Sequence, residues 1–293
     1  MTGIATSSAC REKALKSLND LPPLSPILNR LLGSLANEDV SFAKLASLIE
    51  KDTLLAGNIL RLVNSSLYGC RGTVNSIGHA ISIMGLVKLR NVTLGLSVSN
   101  LWAKVRTPKN FSISRFNQHS LAVAVLSDHL VEKVQVAYPE GAFLAGLFHD
   151  LGKLLIATAL RDEFEMIQGL MYTSGKSREE CERELVGCTH SELSALALDR
   201  WNLPVPIQTT VLYHHHPDEA PRDKDDEFPR HLAHVLCAAN DVVNAMGITP
   251  FLPAHETIPA EDLSGLDRLG AAKFAPAMMS EFQAEFEAMR SIS

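Results

Sequence analysis

"GAFLAGLFHDLGKLLIA", residues 141–157, places an imidazole, a carboxylate and an ammonium (His149, Asp150, Lys153) in a run that is otherwise small and apolar. Its spacing predicts two helices, 140–149 and 151–161, that meet at His149 and Asp150. An ionised carboxylate in apolar surroundings is costly unless it is paired, protonated or bound to a cation. The polar residues therefore need a chemical reason to be there.

The rest of the chain has the same helical character. Aromatic residues make up only 6% of it, and long alternating Val/Ile/Thr/Tyr runs are missing. Leu24, Ile27, Leu28, Leu31, Leu32 and Leu35 share one stripe, and Leu55, Ile59, Leu62 and Val63 share another. Ser41 is placed to cap the helix between them, and Gly85 to divide 75–102 into two. The Pro- and Ser-containing stretch "RTPKNFSISRFNQHS" marks a boundary. Beyond it, helical patterns cover 116–135, 140–149, 151–161, 177–186, 190–202, 204–215, 229–246 and 260–290, with "HPDEAPRDKDDEFPR" as an exposed loop. The expected fold is all-α, a multi-helical bundle with an additional N-terminal helical subdomain. The expected division is a polar tail (1–16), an N-terminal subdomain (17–108) and a second helical subdomain (109–293).

The totals narrow the function. Acidic residues outnumber basic ones by 33 to 27, a formal charge of −6, which argues against sequence-independent binding to nucleic acid. The five cysteines are scattered and contain no C-x-x-C pair, as expected of free thiols in a reducing compartment. No signal-like leader and no uninterrupted apolar run of about 18 residues is present, so a cytoplasmic protein without a membrane partner is expected. Neither a P-loop nor a Gly-rich dinucleotide fingerprint occurs.

Further polar residues fall in apolar helical patterns: His119, His190, His214, His215 and Asp241. Each has a plain explanation alone. A core histidine can be satisfied by hydrogen bonds, an aspartate can cap a helix or bond a nearby donor, Lys153 can snorkel, and His216 suits a solvated helix end. Together they suit a shared cation, because imidazoles and carboxylates are the donors of Zn, Mn, Fe, Co and Ni. Two such ions can be bridged by one carboxylate.

In this order, "HDLGK" resembles the signature of the HD superfamily of helical metal-dependent phosphohydrolases. The resemblance implies that His149 and Asp150 bind metal, with Asp150 bridging, and that Lys153 faces a phosphate in a catalytic role. It makes His119 the first histidine of the set. His190, His214, His215 and Asp241 correspond to the further ligands of the HD-GYP branch, which hydrolyses cyclic di-GMP. No Gly-Tyr-Pro triplet follows the paired histidines, so that substrate is not carried over. The stretches "LPPLSPILNRLL", "LASLIEKDTLLAGNILRLVNSSLYG" and "SIGHAISIMGLVKLRNVTLGLSVS" are similar to the opening helices of the HD-related output domain, HDOD. That resemblance covers about residues 17–215, with an HD-like remainder towards 250. It implies an HD-domain-like bundle in a bacterial signalling protein.

Two functions follow as expectations. One is a regulatory module that uses one or two divalent transition ions (Fe, Mn, Ni, Co or Zn) and acts on a protein partner or a small phosphorylated ligand. The other is a metal-dependent phosphohydrolase in which Asp150 and Lys153 are catalytic.

Overall fold

In a computed structural model, residues 2–21, 23–36, 42–70, 72–221, 230–251 and 264–292 are described, and they form helices with no strand among them. The first half contains α1 (Thr2–Ser17), α2 (Pro26–Ala36), α3 (Phe42–Glu50), α4 (Thr53–Val63), α5 (Ile77–Met84) and α6 (Leu86–Trp102). Leu24, Leu28, Leu31 and Leu32 are buried, as are all four residues of the α4 stripe. Asp52 starts α4 by accepting from the Leu55 N–H at 3.0 Å, and Ser76 does the same for α5 with His79 at 3.2 Å. Gly85 adopts φ 79°, and the chain turns there by 116° between α5 and α6. Ser41 and the side chain of Leu35 lie outside the described residues, as does the charged segment 222–229.

The second half contains α7 (Ile113–Val131), α8 (Ala142–Phe148), α9 (Leu151–Ala159), α10 (Arg161–Ser174), α11 (Arg178–Leu185), α12 (His190–Arg200), α13 (Val205–Leu212), α14 (Leu232–Ala245), α15 (Ser264–Leu269) and α16 (Ala275–Arg290). Helix α8 is buried along its whole length and packs on α7, α13 and α14. By length and composition Pro139–Ala159 is apolar enough to cross a membrane, but 89% of its apolar window is buried inside the protein. Ser177 with Glu180, and Thr189 with Glu192, form capping boxes that start α11 and α12.

The structure differs from the sequence expectation in three places. Residues 2–16 fall in a helix, where a polar tail was expected over 1–16; α1 packs on α9 and α11, with Ala14 buried. Its composition hides this because the stripe it buries is narrow. Helix α10 is unanticipated, since within "RDEFEMIQGLMYTS" only Phe164 and Ile167 are buried. The helical pattern 260–290 is divided at Gly270, φ 68°, into α15 and α16, and residues 260–263 lie outside the described residues.

The buried apolar side chains form one continuous core from Ala14 to Ile292. Trp102 at the end of α6 stacks on Trp201 just after α12, with ring centroids 6.2 Å apart, so the halves meet through aromatic contact. Two glycines set the closest helix approaches. A Cβ on Gly146 would lie 2.5 Å from the Cα of Ala124 in α7, and one on Gly152 would lie 2.1 Å from the carbonyl oxygen of His190. The Gly152 N–H also donates to Ser194 Oγ at 2.8 Å, fixing α9 against α12.

Gly152→Ala should therefore lower stability by about 3 kcal/mol, because backbone must move to admit the methyl group. Gly169→Ala, on the open face of α10, should raise stability by about 0.5–1 kcal/mol. Urea midpoints of the two variants report both effects, and equal midpoints would refute the close α9–α12 contact.

Candidate metal centre

Five elements converge on the break between α8 and α9. Helix α7 supplies His119, the break supplies His149 and Asp150, α9 supplies Lys153, α12 begins with His190, and the residues after α13 supply His214 and His215. Asp150 occupies the N-cap position of α9, yet its side chain makes no capping hydrogen bond. Helix capping is thereby excluded as its role.

Its carboxylate faces two sets of imidazoles. Oδ2 lies 3.5 Å from His119 Nε2 and 3.4 Å from His149 Nε2, while Oδ1 lies 3.6 Å from His190 Nε2 and 3.9 Å from His214 Nε2. His190 Nε2 and His215 Nε2 are 3.0 Å apart. Ligand atoms of His119, His149 and Asp150 all lie within 4.8 Å of one another, as do those of His190, His214 and His215. Adjacent donors around one ion with bonds of about 2.1 Å stand about 3.0–3.4 Å apart, close to this spacing.

The opposite ring nitrogens settle the tautomers. His119 Nδ1 bonds the Ile248 carbonyl at 2.7 Å, His149 Nδ1 the Gly146 carbonyl at 2.8 Å, and His214 Nδ1 the Val211 carbonyl at 2.7 Å. A carbonyl only accepts, so each Nδ1 carries the proton and each Nε2 presents a lone pair. Those three Nε2 atoms and Asp150 Oδ1 are buried without a hydrogen-bond partner among the described residues. Buried acceptors aimed at one another are expensive unless a cation lies among them. The donor set, with its tautomers held from behind, fits a divalent transition metal.

Electrostatics agree with this picture. Burial pushes His149, His190 and His215 well below the usual imidazole range and also lowers His214, which keeps them neutral as metal ligands must be. Burial alone would raise Asp150, but the Lys153 ammonium beside it outweighs that and holds the carboxyl well below its ordinary range. Lys153 Nζ donates to Asp150 Oδ2 at 2.8 Å.

The sequence reading overlooked Glu182. Its Oε2 accepts both the backbone N–H and the Nδ1–H of His190, each at 2.7 Å, from a side chain with no exposure. Burial pushes its carboxyl up to about 7 against the pull of Arg178. Helix α11 looks almost wholly polar, and the one available signal was that Arg178, Glu182 and Leu185 recur with the spacing of a single helix face.

The structure does not bring Asp241 to the cage. That residue is exposed and ion-paired with Arg268, whereas its neighbour Asn240 is 3% exposed. Adjacent helical residues point about 100° apart, so an apolar context alone does not tell which of the two turns inward. His216 is exposed as expected and contacts Glu179 at 2.9 Å. All five cysteines are free thiols.

The HDOD domain model matches residues 21–217. The chain spans less than half the length of the curated relatives it matches, 46% of one and 31% of another. Among solved structures it resembles an HDOD domain protein of unknown function from Geobacter sulfurreducens, with TM-score 0.74, 22% identity, and coverage of 98% of this chain and 97% of that one. A protein of Shewanella amazonensis SB2B, provisionally named a phosphohydrolase, gives TM-score 0.71 at 22% identity over 94% of this chain and 98% of that one. One of Marinobacter aquaeolei VT8, provisionally named for signal transduction, gives 0.68 at 19% over 98% and 65%. At these identities the structural likeness is one of fold. With the opening helices and the "HDLGK" segment both inside the matched residues, the chain belongs to the HDOD domain family.

Proposed function

We propose that this chain is a bacterial, cytoplasmic signalling protein whose His/Asp cage holds one or two divalent transition ions (Fe, Mn, Ni, Co or Zn). In this reading it acts through a regulatory protein partner or a small phosphorylated ligand. The observation that carries the metal is the set of buried imidazole lone pairs facing Asp150 with no hydrogen-bond partner. A regulatory role is supported by enclosure: His119, His149, Asp150, His190 and His214 have no exposure, and Lys153 is held against Asp150. A phosphoester would have to displace that arrangement before reacting.

One observation favours a second reading, metal-dependent phosphoester hydrolysis. Asp150 turns one oxygen to each donor set, the arrangement of two-ion hydrolases. Bound ions would act as Lewis acids and water activators. The part of Lys153 would be to swing its ammonium from Asp150 to the phosphate oxygens, and that of Glu182 to keep His190 aligned. Fold alone does not choose between the readings.

Metal content of the purified protein, followed by hydrolysis of a generic phosphodiester, separates them. Metal without turnover is expected; turnover abolished in Asp150→Ala would establish the second reading instead. His149→Ala should remove most of the metal, and Asp241→Ala should leave it unchanged. Glu182→Gln should weaken metal affinity about 10–100-fold through misorientation of His190. Full metal occupancy in His149→Ala would eliminate the cage as the binding site.

Stability should follow metal and acid. Chelation should lower the melting temperature, because metal bound only to the folded chain stabilises it. In the metal-free protein, His149, His190, His214 and His215 remain neutral when folded but take up protons when unfolded below about pH 6.5. Their contribution is present above that pH and lost as pH falls. Glu182, raised to about 7, works in the opposite sense between its ordinary value and 7, but four imidazoles outweigh one carboxyl. Melting of the chelated protein should thus fall steadily from pH 7 to 5, and a flat profile would mean that these histidines are not buried as neutral bases.

A further inference from the structure

Arg178, the first residue of α11, stands beside the cage. Its guanidinium is 3.6 Å from Glu182 Oε1, beyond hydrogen-bond reach, although the two are one helical turn apart. The pair is loose, and the Arg178 side chain is only 11% exposed. A guanidinium placed to hold a carboxylate closes to about 2.7–2.9 Å, often through two parallel bonds. Glu182 Oε1 is likewise left without a hydrogen bond. Securing Glu182 therefore does not account for the position of Arg178.

What holds Arg178 is an aromatic ring. Its guanidinium carbon lies 4.2 Å from the centroid of Phe251, and Lys153 Nζ lies 6.0 Å from the same centroid. Phe251 is steadied by Phe111 and Phe164, each with a centroid 5.8 Å away, and by Thr249, whose hydroxyl donates to the Phe251 carbonyl at 2.7 Å. The segment that carries Phe251 also supplies the Ile248 carbonyl that orients His119. A guanidinium stacked on a ring keeps its in-plane N–H donors available, and that fork matches the oxygens of a phosphate. Lys153 adds two N–H groups beyond the one given to Asp150. His215, Arg178 and Phe251 are the partly exposed members of this neighbourhood, and Lys153 is buried against Asp150.

We infer that Arg178 and Lys153, with Phe251 as their platform, form an oxyanion subsite beside the cage that takes the phosphate group of a small phosphorylated ligand. The inference rests on the proposed metal cage, since bound divalent ions next to two cationic side chains create an excess of positive charge that an anion neutralises. It identifies the ligand by its phosphate and assigns Arg178 a binding role, not a catalytic one.

Inorganic phosphate is the probe, titrated calorimetrically into full-length protein of measured metal content, with circular dichroism confirming the fold of each variant. Arg178→Gln should weaken phosphate binding about tenfold or more at unchanged metal content, and Arg178→Lys should weaken it less. Phe251→Leu, which removes the platform and leaves both cations, should also weaken it, and it serves as the test should Arg178→Gln fail to fold. Unchanged affinity in the folded variants overturns the subsite. Loss of metal together with phosphate in Arg178→Gln also overturns it, by showing that Arg178 acts through Glu182 and His190. If the wild-type protein takes up no Fe, Mn or Zn but binds phosphate in an Arg178-dependent way, the metal cage fails and the subsite stands.

Discussion

A carboxylate kept ionised at zero exposure is the constraint around which this molecule is arranged. Burial of Asp150 opposes its charge, and the Lys153 ammonium, 2.8 Å from Oδ2, supports it. That demand reaches into the backbone. Gly146 lets α8 settle onto α7 so that His149 approaches His119, and Gly152 lets α9 touch the first residue of α12 so that His190 reaches the other carboxylate oxygen. The glycine of "HDLGK" is therefore as much a part of the cage as its histidine, although it contributes no ligand atom.

The cage is held from behind as carefully as from the front. Backbone carbonyls of Gly146, Val211 and Ile248 and the carboxylate of Glu182 fix the protonated nitrogen of four rings. Ligand geometry thus depends on segments that contribute no donor, above all α11 and residues 248–251. Helix α12 then extends outward: His190 opens it inside the cage, and Trp201 at its far end stacks on Trp102 of the first half. A second buried charge network ties the halves together, with Lys88 of α6 beside Asp128 of α7 and Glu285 of α16, which also accepts from His129. These contacts are the physical links between the site and the rest of the fold.

Enclosure and charge distinguish the two functional readings. Catalysis on a phosphoester needs an approach to the ions and a cation free to meet developing negative charge. Here the cage residues other than His215 have no exposure, and Lys153 is hydrogen-bonded to Asp150. Such a site is better suited to retaining a ligand than to turning one over.

Legibility in the sequence followed how locally each feature is encoded. The Leu and Ile stripes of α2 and α4, the break at Gly85 and the meeting of two apolar helices at His149 and Asp150 depend on neighbours a few residues apart, and all were readable. Helices α1 and α10 were not, because each buries too narrow a stripe to stand out from its polar composition. The histidines announced themselves as polar residues in apolar helices. Glu182 and Arg178 did not, since α11 looks solvated throughout, and Asp241 misled because Asn240 beside it is the residue that faces inward. By itself the sequence determined an all-helical chain of the HDOD type and pointed to two aspartates and five histidines for a shared cation, of which Asp241 stands apart in the fold. Which side chains meet, which ring nitrogen faces inward and which charged groups stand beside the cage were decided only in the tertiary structure. Those depend on helix rotation and on contacts between residues 25 to more than 100 positions apart, such as His190 with His215 and His119 with Ile248, which no local pattern encodes.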